Sequence, residues 1–338
     1  MKKEYSPKLE IIAEAAQGFE GNLDQAKLLT KAAATAGADI IKFQLVYADE
    51  LATEDYKIHS FFKKLEMNND SWAELNSYCI NLKINLCFEI FGQKSLNLAK
   101  LLQVKVVKIH GTDITNIDLL ESLARSNIKD VLLGVGGAHW NEIKNAVSIL
   151  SNKNLSLLLG FQDYPTRTED NQIDRLITYK SKVSKIHSKF KIGFADHTQE
   201  DSLQYALSVM SLGAGATVIE KHITLGKIME IEDFESALNP DQFKEYTKIL
   251  RDSYTAFKGA IDKEDFGMSK SEYNYRLNIR RHVVSTKNLK IGDIISPKNV
   301  TLKRTSSKDF IQNLDSVYNK EVTKAIPVNT AIRKDQIK

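Results

Sequence analysis

The sequence predicts an α/β protein: a closed (β/α)8 barrel followed by a small β-rich module. Three observations carry this expectation. Eight short apolar runs recur between residues 9 and 223, separated by longer segments with helical periodicity. Strands buried on both faces read as nearly unbroken apolar runs, and parallel neighbours need a crossover, usually helical. Eight such units within about 250 residues match the usual size of a closed barrel. No Gly-rich dinucleotide fingerprint follows the first run, which disfavours an open doubly wound sheet. Thirdly, the pattern changes after Gly259 to a polar connection and then to short alternating runs.

The elements follow in order. LEIIAEA (9–15) is the first strand, and LDQAKLLTKAAATAGA after it is apolar at helical spacing and runs into a Gly stop signal. DIIKFQL (39–45) is the second. A long insertion, about 46–70, precedes the third strand, NLCFEIF (85–91), and is expected to form a lid or rim. VKVVKIH (104–110) is followed by the helical pattern IDLLESLARS, then by DVLLGVG (130–136) and LSLLLGF (155–161). KIGFADH (191–197), the helical SLQYALSVMSLGA and TVIEKHI (217–223) complete the barrel. KEDFGMSKSEYNYRLN reads as a connection. From Arg280, RRHVVSTKNLKIGDIISPKNVTLKR alternates and is broken by Gly292 and Pro297. The expected organisation is a barrel over 1–260, a linker over 261–278 and a module over 279–338.

Composition excludes several classes. The 338 residues carry 42% hydrophobic and 27% charged side chains, as ordinary globular proteins do. A net charge of +4, without a Lys/Arg stripe interleaved with aromatics, gives no footprint for nucleic acid. MKKEYSPKLE has no apolar leader core and no run approaches the ~20 residues of a membrane span, so a cytoplasmic protein is expected. Cys79 and Cys87 lack metal-ligand spacing and read as reduced, buried thiols.

In such a barrel the chemistry sits at the carboxyl ends of the strands. Charged and polar residues gather there: Glu14, Lys42 with Gln44, Lys108 with His110, Asp196-His197-Thr198 and Glu220-Lys221-His222. Residues two apart on a strand share a face, so Glu220 and His222 point inward together and Lys221 points toward the helices as a buttress. His197 and His222 end neighbouring strands. Two imidazoles with carboxylates near them suit a divalent ion such as Mn²⁺, Zn²⁺ or Fe²⁺. Two inward lysines, Lys42 and Lys108, would repel each other, which points to an anionic substrate, phosphate or carboxylate. His110 shares the inward face, while His59, His139, His187 and His282 read as surface or packing residues.

With those residues in place, the chain resembles the sialic acid (N-acetylneuraminate) synthase family over nearly its whole length. "IIAE", "AGADIIKFQ", "VVKIHGTDITNIDLL", "KIGFADHT", "VIEKHITL" and "SALNP" stand in the order and spacing of that family's motifs. The tail resembles its C-terminal antifreeze-like (SAF) domain. The resemblance implies condensation of phosphoenolpyruvate with an aldose, usually an N-acetylated hexosamine, to a nonulosonic acid and phosphate. It implies His197 and His222 as ligands of Mn²⁺ or Mg²⁺, and Lys42, Gln44 and Lys108 as phosphoenolpyruvate contacts. Glu14 matches a family acid, and Asp113 stands where the family has a Glu near the metal-bound water. With Glu220, these are the candidate catalytic carboxylates. Tyr164 and Asp233 match sugar-side contacts, and Gln162 stands at a substrate-contacting Asn. Arg304 matches a SAF arginine that reaches the partner subunit's site, which implies a domain-swapped homodimer.

The chain also departs from the family. Gly111, Gly134 and Ala195 stand at positions of phosphate-contacting serines, Gly18-Phe19-Glu20-Gly21 replaces Asn-His-Asn-Gly, and Arg304-Thr305-Ser306 replaces Arg-Pro-Gly. These changes cluster on substrate contacts and spare the histidines. The expectation is retained condensation chemistry with a changed sugar acceptor, legionaminic and pseudaminic acids being candidate products. The alternative is a metal-dependent pyruvate aldolase on the same barrel.

Overall fold

One inward apolar residue from each of eight strands, from Ile12 on the first to Val218 on the last, forms a single buried cluster. In this computed structural model, which describes residues 8–160, 162–199, 203, 205–257, 268–306 and 311–338, that cluster is the floor of a closed parallel barrel. The strands are β1 (Glu10–Ala16), β2 (Ile40–Leu45), β3 (Asn85–Ile90) and β4 (Val106–Ile109). They continue with β5 (Asp130–Gly134), β6 (Asn154–Leu159), β7 (Phe190–Asp196) and β8 (Val218–His222). Each pairs with the next, and β8 closes on β1 with Glu10 opposite Val218 and Glu14 opposite His222. The eight expected runs are thus the eight strands. The ladder stops earlier than expected at β4, which ends at Ile109, and at β5, which ends at Gly134. Phe161, the last residue of the expected sixth run, lies outside the described residues, as do residues 202 and 204 of the helical run before β8.

The outward faces of the strands meet the helices in the main core. The insertion after β2 is helical over Ala48–Leu51, His59–Leu65 and Asn69–Leu82. Asn68 starts the third of these, its side chain accepting from Ser71 N at 2.8 Å. Trp72 on that helix packs edge-on against Phe19, Phe43 and Phe88, with centroids 5.3, 6.1 and 5.1 Å away. Phe19 thus works as an anchor, holding the loop above β1 against β2 and β3. Both cysteines are buried and free, and burial pushes the Cys79 thiol up to about 12, leaving it protonated and inert.

The chain divides into two units, Met1–Phe257 and Lys258–Lys338. Of the stretch expected as a linker, residues 261–267 lie outside the described residues. Beyond them, Lys270–Ile279 is an α-helix with no buried residue, capped by Ser269. Its mixed polar sequence has no apolar stripe, so periodicity gave no sign of it. In the second unit β9 (His282–Ser285) pairs antiparallel with β10 (Val300–Lys303) over a core built on Val283, Ile295, Val317 and Ile332. Isolated bridges such as Leu289 to Ile326 and Val322 to Ile337 complete it, and Gly292 turns at φ +91°. No described helix is long and apolar enough to cross a membrane.

Candidate active site

Directly above the apolar floor lies a layer of five buried charged side chains: Glu14, Lys42, Glu89, Lys108 and Glu220. Strand register puts them there, with Glu14 beside Lys42 and Glu89 beside Lys108. Lys42 Nζ contacts Glu14, donates to Glu89 Oε2 at 2.7 Å and lies 3.9 Å from Glu220 Oε2. Lys108 Nζ donates to Glu220 Oε1 at 2.7 Å and lies 3.5 Å from Glu89 Oε1. The expectation that these lysines need an anionic ligand to avoid repulsion is corrected here. The chain supplies its own counterions.

The protonation pattern follows from burial and these pairs. Burial alone would raise the Glu89 carboxyl, but Lys108 and Lys42 outweigh it and hold it well below the carboxylate range. Burial would lower Lys108, yet Glu220 and Glu89 outweigh it and raise the ammonium. Lys42 moves the other way because it is completely enclosed, and burial exceeds the attraction of Glu220 and Glu89.

Above this layer, His197 follows β7 and His222 ends β8, their ring centroids 5.3 Å apart. Tyr164 meets both rings edge-on at 6.0 and 5.7 Å. The Ala195 carbonyl lies 3.0 Å from His197 Nδ1; since a carbonyl only accepts, the proton sits on Nδ1 and the lone pair on Nε2. Burial, reinforced by Lys108, lowers His197 to about 4, and burial with the neighbouring His197 lowers His222 well below its usual value. Both are neutral near pH 7, the form that ligates metals. Among the described residues no group of three or more His, Cys, Asp or Glu side chains converges on a metal position. The two neutral imidazoles that line this cavity are the donors that could hold a divalent ion there.

Strands β7 and β8 are locked together behind the histidines. Lys221 Nζ donates to Asp196 Oδ1 at 3.1 Å and to the Thr198 carbonyl at 2.8 Å. Asp196 Oδ2 accepts from Ser208 Oγ at 2.6 Å, and Tyr246 donates to the same Ser208 oxygen at 2.8 Å. Burial would raise Asp196, but Lys221 and the Ser208 hydrogen bond lower it. Lys221 is the outward buttress that strand alternation predicted.

The glycines at the ends of β4, β5 and β6 are filled by backbone. A Cβ on Gly134 would stand 2.7 Å from Gly111 N, one on Gly111 2.8 Å from Gly136 O, and one on Gly160 2.3 Å from Ala195 O. Two positions where the resemblance implied lost serine hydroxyls are thus closed to any side chain. Gly134→Ser is expected to destabilise the barrel by about 1–3 kcal/mol, as overpacking does, rather than to add a phosphate contact. Chemical denaturation checks this, and an unchanged midpoint would show that the β4 and β5 ends separate freely.

On the opposite rim, the Tyr164 hydroxyl donates to the Asp233 carbonyl at 2.7 Å and the Asp233 carboxylate accepts from Gln17 N at 3.3 Å. Gln17 Nε2 donates to Gln44 Oε1 at 2.6 Å, which orients Gln44 in the mouth. Burial raises Asp233 to about 6. A carboxyl raised above its unfolded value of about 3.9 binds more protons in the native state between those two values, so its stabilising contribution is lost as pH rises through about 6. Asp233→Asn, which tolerates the local φ of +65°, is expected to raise the thermal midpoint at pH 7.5 and leave it unchanged near pH 4. Equal midpoints at pH 7.5 would mean that the carboxylate ionises there at no cost.

Glu14, Gln44, Lys108, Tyr164, His197, Glu220, His222 and Asp233 all line one cavity at the barrel mouth, with Glu89, His110, Gly111 and Gly134. Lys42 is sealed beneath it. Asp113 lies in the turn after β4, 3.4 Å from both Thr112 Oγ1 and Asn116 Nδ2, its carboxyl raised by burial. Gln162 turns away, donating to the Asn171 carbonyl at 3.0 Å. Arg304 is exposed just after β10 in the second unit. Sequence reasoning missed Glu89. The available signal was a single carboxylate inside the apolar run NLCFEIF, two residues from buried Cys87 and so on the same face.

Histidines over a buried lysine layer define an enzyme of the barrel class, with its chemistry at the carboxyl ends of the strands. Comparison with known proteins narrows this: residues 29–262 match the NeuB family and residues 280–338 the SAF domain. The chain belongs to the NeuB family. It is 29% identical to the N,N'-diacetyllegionaminic acid synthase of Campylobacter jejuni over 342 residues, covering 96% of this chain and 98% of that protein. It is 25% identical to a pseudaminic acid synthase of the same species, covering 98% and 97% of the two chains. Among solved structures, the N-acetylneuraminic acid (sialic acid) synthetase of Leptospira borgpetersenii, in complex with citrate, matches with a TM-score of 0.70 at 28% identity. That match covers 80% of this chain and 91% of the other.

Proposed function

We propose that the protein condenses phosphoenolpyruvate with an acetamido or diacetamido hexose to give a sialic-acid-like nonulosonic acid and phosphate. The observation that carries this is the neutral His197–His222 pair set above Lys108, in a chain that spans the full length of named nonulosonic acid synthases. C3 of phosphoenolpyruvate bonds to the aldehyde carbon, water adds at C2 and phosphate departs. When bound, a divalent ion, Mn²⁺ or Mg²⁺, at His197 and His222 supplies Lewis acidity toward the aldehyde oxygen. Lys108, with Lys42 beneath it, balances charge on the enol substrate, and Gln44 fixes its orientation. To Glu14, Asp113 and Glu220 this reading assigns the proton transfers at C2 and at the new hydroxyl. Tyr164 and Asp233 meet the sugar, and Arg304 serves the partner subunit of a domain-swapped homodimer.

Phosphate release from phosphoenolpyruvate with Mn²⁺, across a panel of acetamido and diacetamido hexoses, tests the reading. Release that depends on one sugar supports it and names the acceptor. A second reading, pyruvate aldol chemistry without phosphate, is favoured by the backbone-filled glycines and the ion-paired lysines. Pyruvate consumption with no phosphate release from a metal-loaded protein would select it.

A further inference from the structure

We propose that Glu89 determines how much negative charge the barrel mouth accepts, its carboxylate holding Lys42 and Lys108 where an anionic substrate group would otherwise bind them. The inference rests on the reading that this mouth takes an anionic ligand. Three carboxyl groups, Glu14, Glu89 and Glu220, face two ammonium groups, Lys42 and Lys108, and all five side chains are buried. With every group charged the layer is negative, not positive.

Glu89 is the member best placed to govern ligand charge. It comes from β3, between β2 and β4, and contacts both lysines. It also lines the cavity itself. Its Oε2 accepts from Lys42, but its Oε1 has no hydrogen-bond partner, and neither does Glu220 Oε2. Both oxygens keep only longer ion-pair contacts, Glu89 Oε1 with Lys108 at 3.5 Å and Glu220 Oε2 with Lys42 at 3.9 Å, and on an already negative layer such oxygens disfavour a further anion. The charged and titratable groups facing Glu89 are Lys42 on β2, Lys108 on β4 with His110 just beyond it, Glu220 on β8 and Glu14 on β1. The backbone-filled Gly111 and Gly134 supply no hydroxyl of their own to share the lysines' work, and the nearby Thr112 hydroxyl lies 2.7 Å from His110 Nδ1. An incoming phosphate therefore meets lysines already engaged by a carboxylate, and like charges a few ångströms apart in a poorly solvated site weaken binding by about tenfold or more.

The test is calorimetric titration of the full-length protein with phosphoenolpyruvate, inorganic phosphate and pyruvate, each against the wild type, Glu89→Gln and Glu89→Asp. Circular dichroism and the unfolding midpoint verify the fold of each variant. Glu89→Gln keeps the shape and removes the charge. It is expected to bind phosphoenolpyruvate and phosphate about tenfold tighter or more, with a smaller gain for pyruvate, which carries one carboxylate and no phosphate. Glu89→Asp should stay near the wild type. The unequal gain is a readout that a merely structural role would not produce. A folded Glu89→Gln variant that binds all three no tighter, or gains equally for all, overturns the proposal. Tighter phosphate binding by Glu89→Gln, together with no phosphate release by the wild type in the hexose-panel assay, would uphold Glu89's role while refuting the synthase reading.

Discussion

Asp196→Ala is expected to cost the barrel about 3–5 kcal/mol, the usual penalty for leaving one partner of a buried ion pair without the other. Lys221 would remain buried with only the Thr198 carbonyl to accept from it, and Ser208 and the Thr198 N–H would each lose an acceptor. Each kcal/mol lowers the midpoint of a domain this size by roughly 2–4 °C, so a fall of about ten degrees is the expected result. Pairing it with Lys221→Met removes the stranded charge, so the double variant should be less destabilised than the sum of the singles. Denaturation of all four proteins measures this, and strict additivity would mean that the two side chains are not coupled. The effect should reach activity as well. His197 directly follows Asp196 and His222 directly follows Lys221, so the pair sets the spacing of the imidazoles.

Replacing both imidazoles, His197→Ala with His222→Ala, is expected to lower turnover by on the order of 10³-fold or more, the scale on which removing electrostatic stabilisers acts. Equilibrium dialysis should show Mn²⁺ binding lost in step, and retained stoichiometric binding would place the metal elsewhere. A stability readout accompanies it. His197 is held down to about 4 in the native state against an ordinary 6.5, so the unfolded chain binds more protons between those values. The contribution of His197 to stability therefore rises with pH across that window and falls as pH drops through it. The double variant should lose that slope, which denaturation midpoints at pH 4.5 and 7 compare directly.

Much of this was legible in the residues because strands obey a period of two. Lys42 with Gln44, Lys108 with His110, and Glu220 with His222 were paired on shared faces by parity, Glu14 was read as a strand end, and the outward position of Lys221 followed from the same alternation. What parity cannot supply is the distance between faces that meet across a barrel. The contact of Lys108 with Glu220 joins residues 112 apart in sequence, and no local pattern reports it. Lysine repulsion was therefore inferred where ion pairing exists. Glu89 escaped because a single carboxylate in a hydrophobic run looks like a strand imperfection until its neighbours on β2 and β4 are known. Gly111 and Gly134 read as deleted hydroxyls, since a sequence shows which side chain is absent and not what has moved into its space. The helix over Lys270–Ile279 lacks the buried stripe that makes helices visible.

The apolar floor running from Ile12 to Val218 gives the barrel a dead end. With the floor sealed, traffic passes only through the mouth. Under the proposed reading, the ligand that settles beside Lys108 and the one that meets Tyr164 and Asp233 share that single entrance. That one-ended access is set by seven hydrocarbon side chains and the Cys87 thiol, none of which is assigned a part in the chemistry.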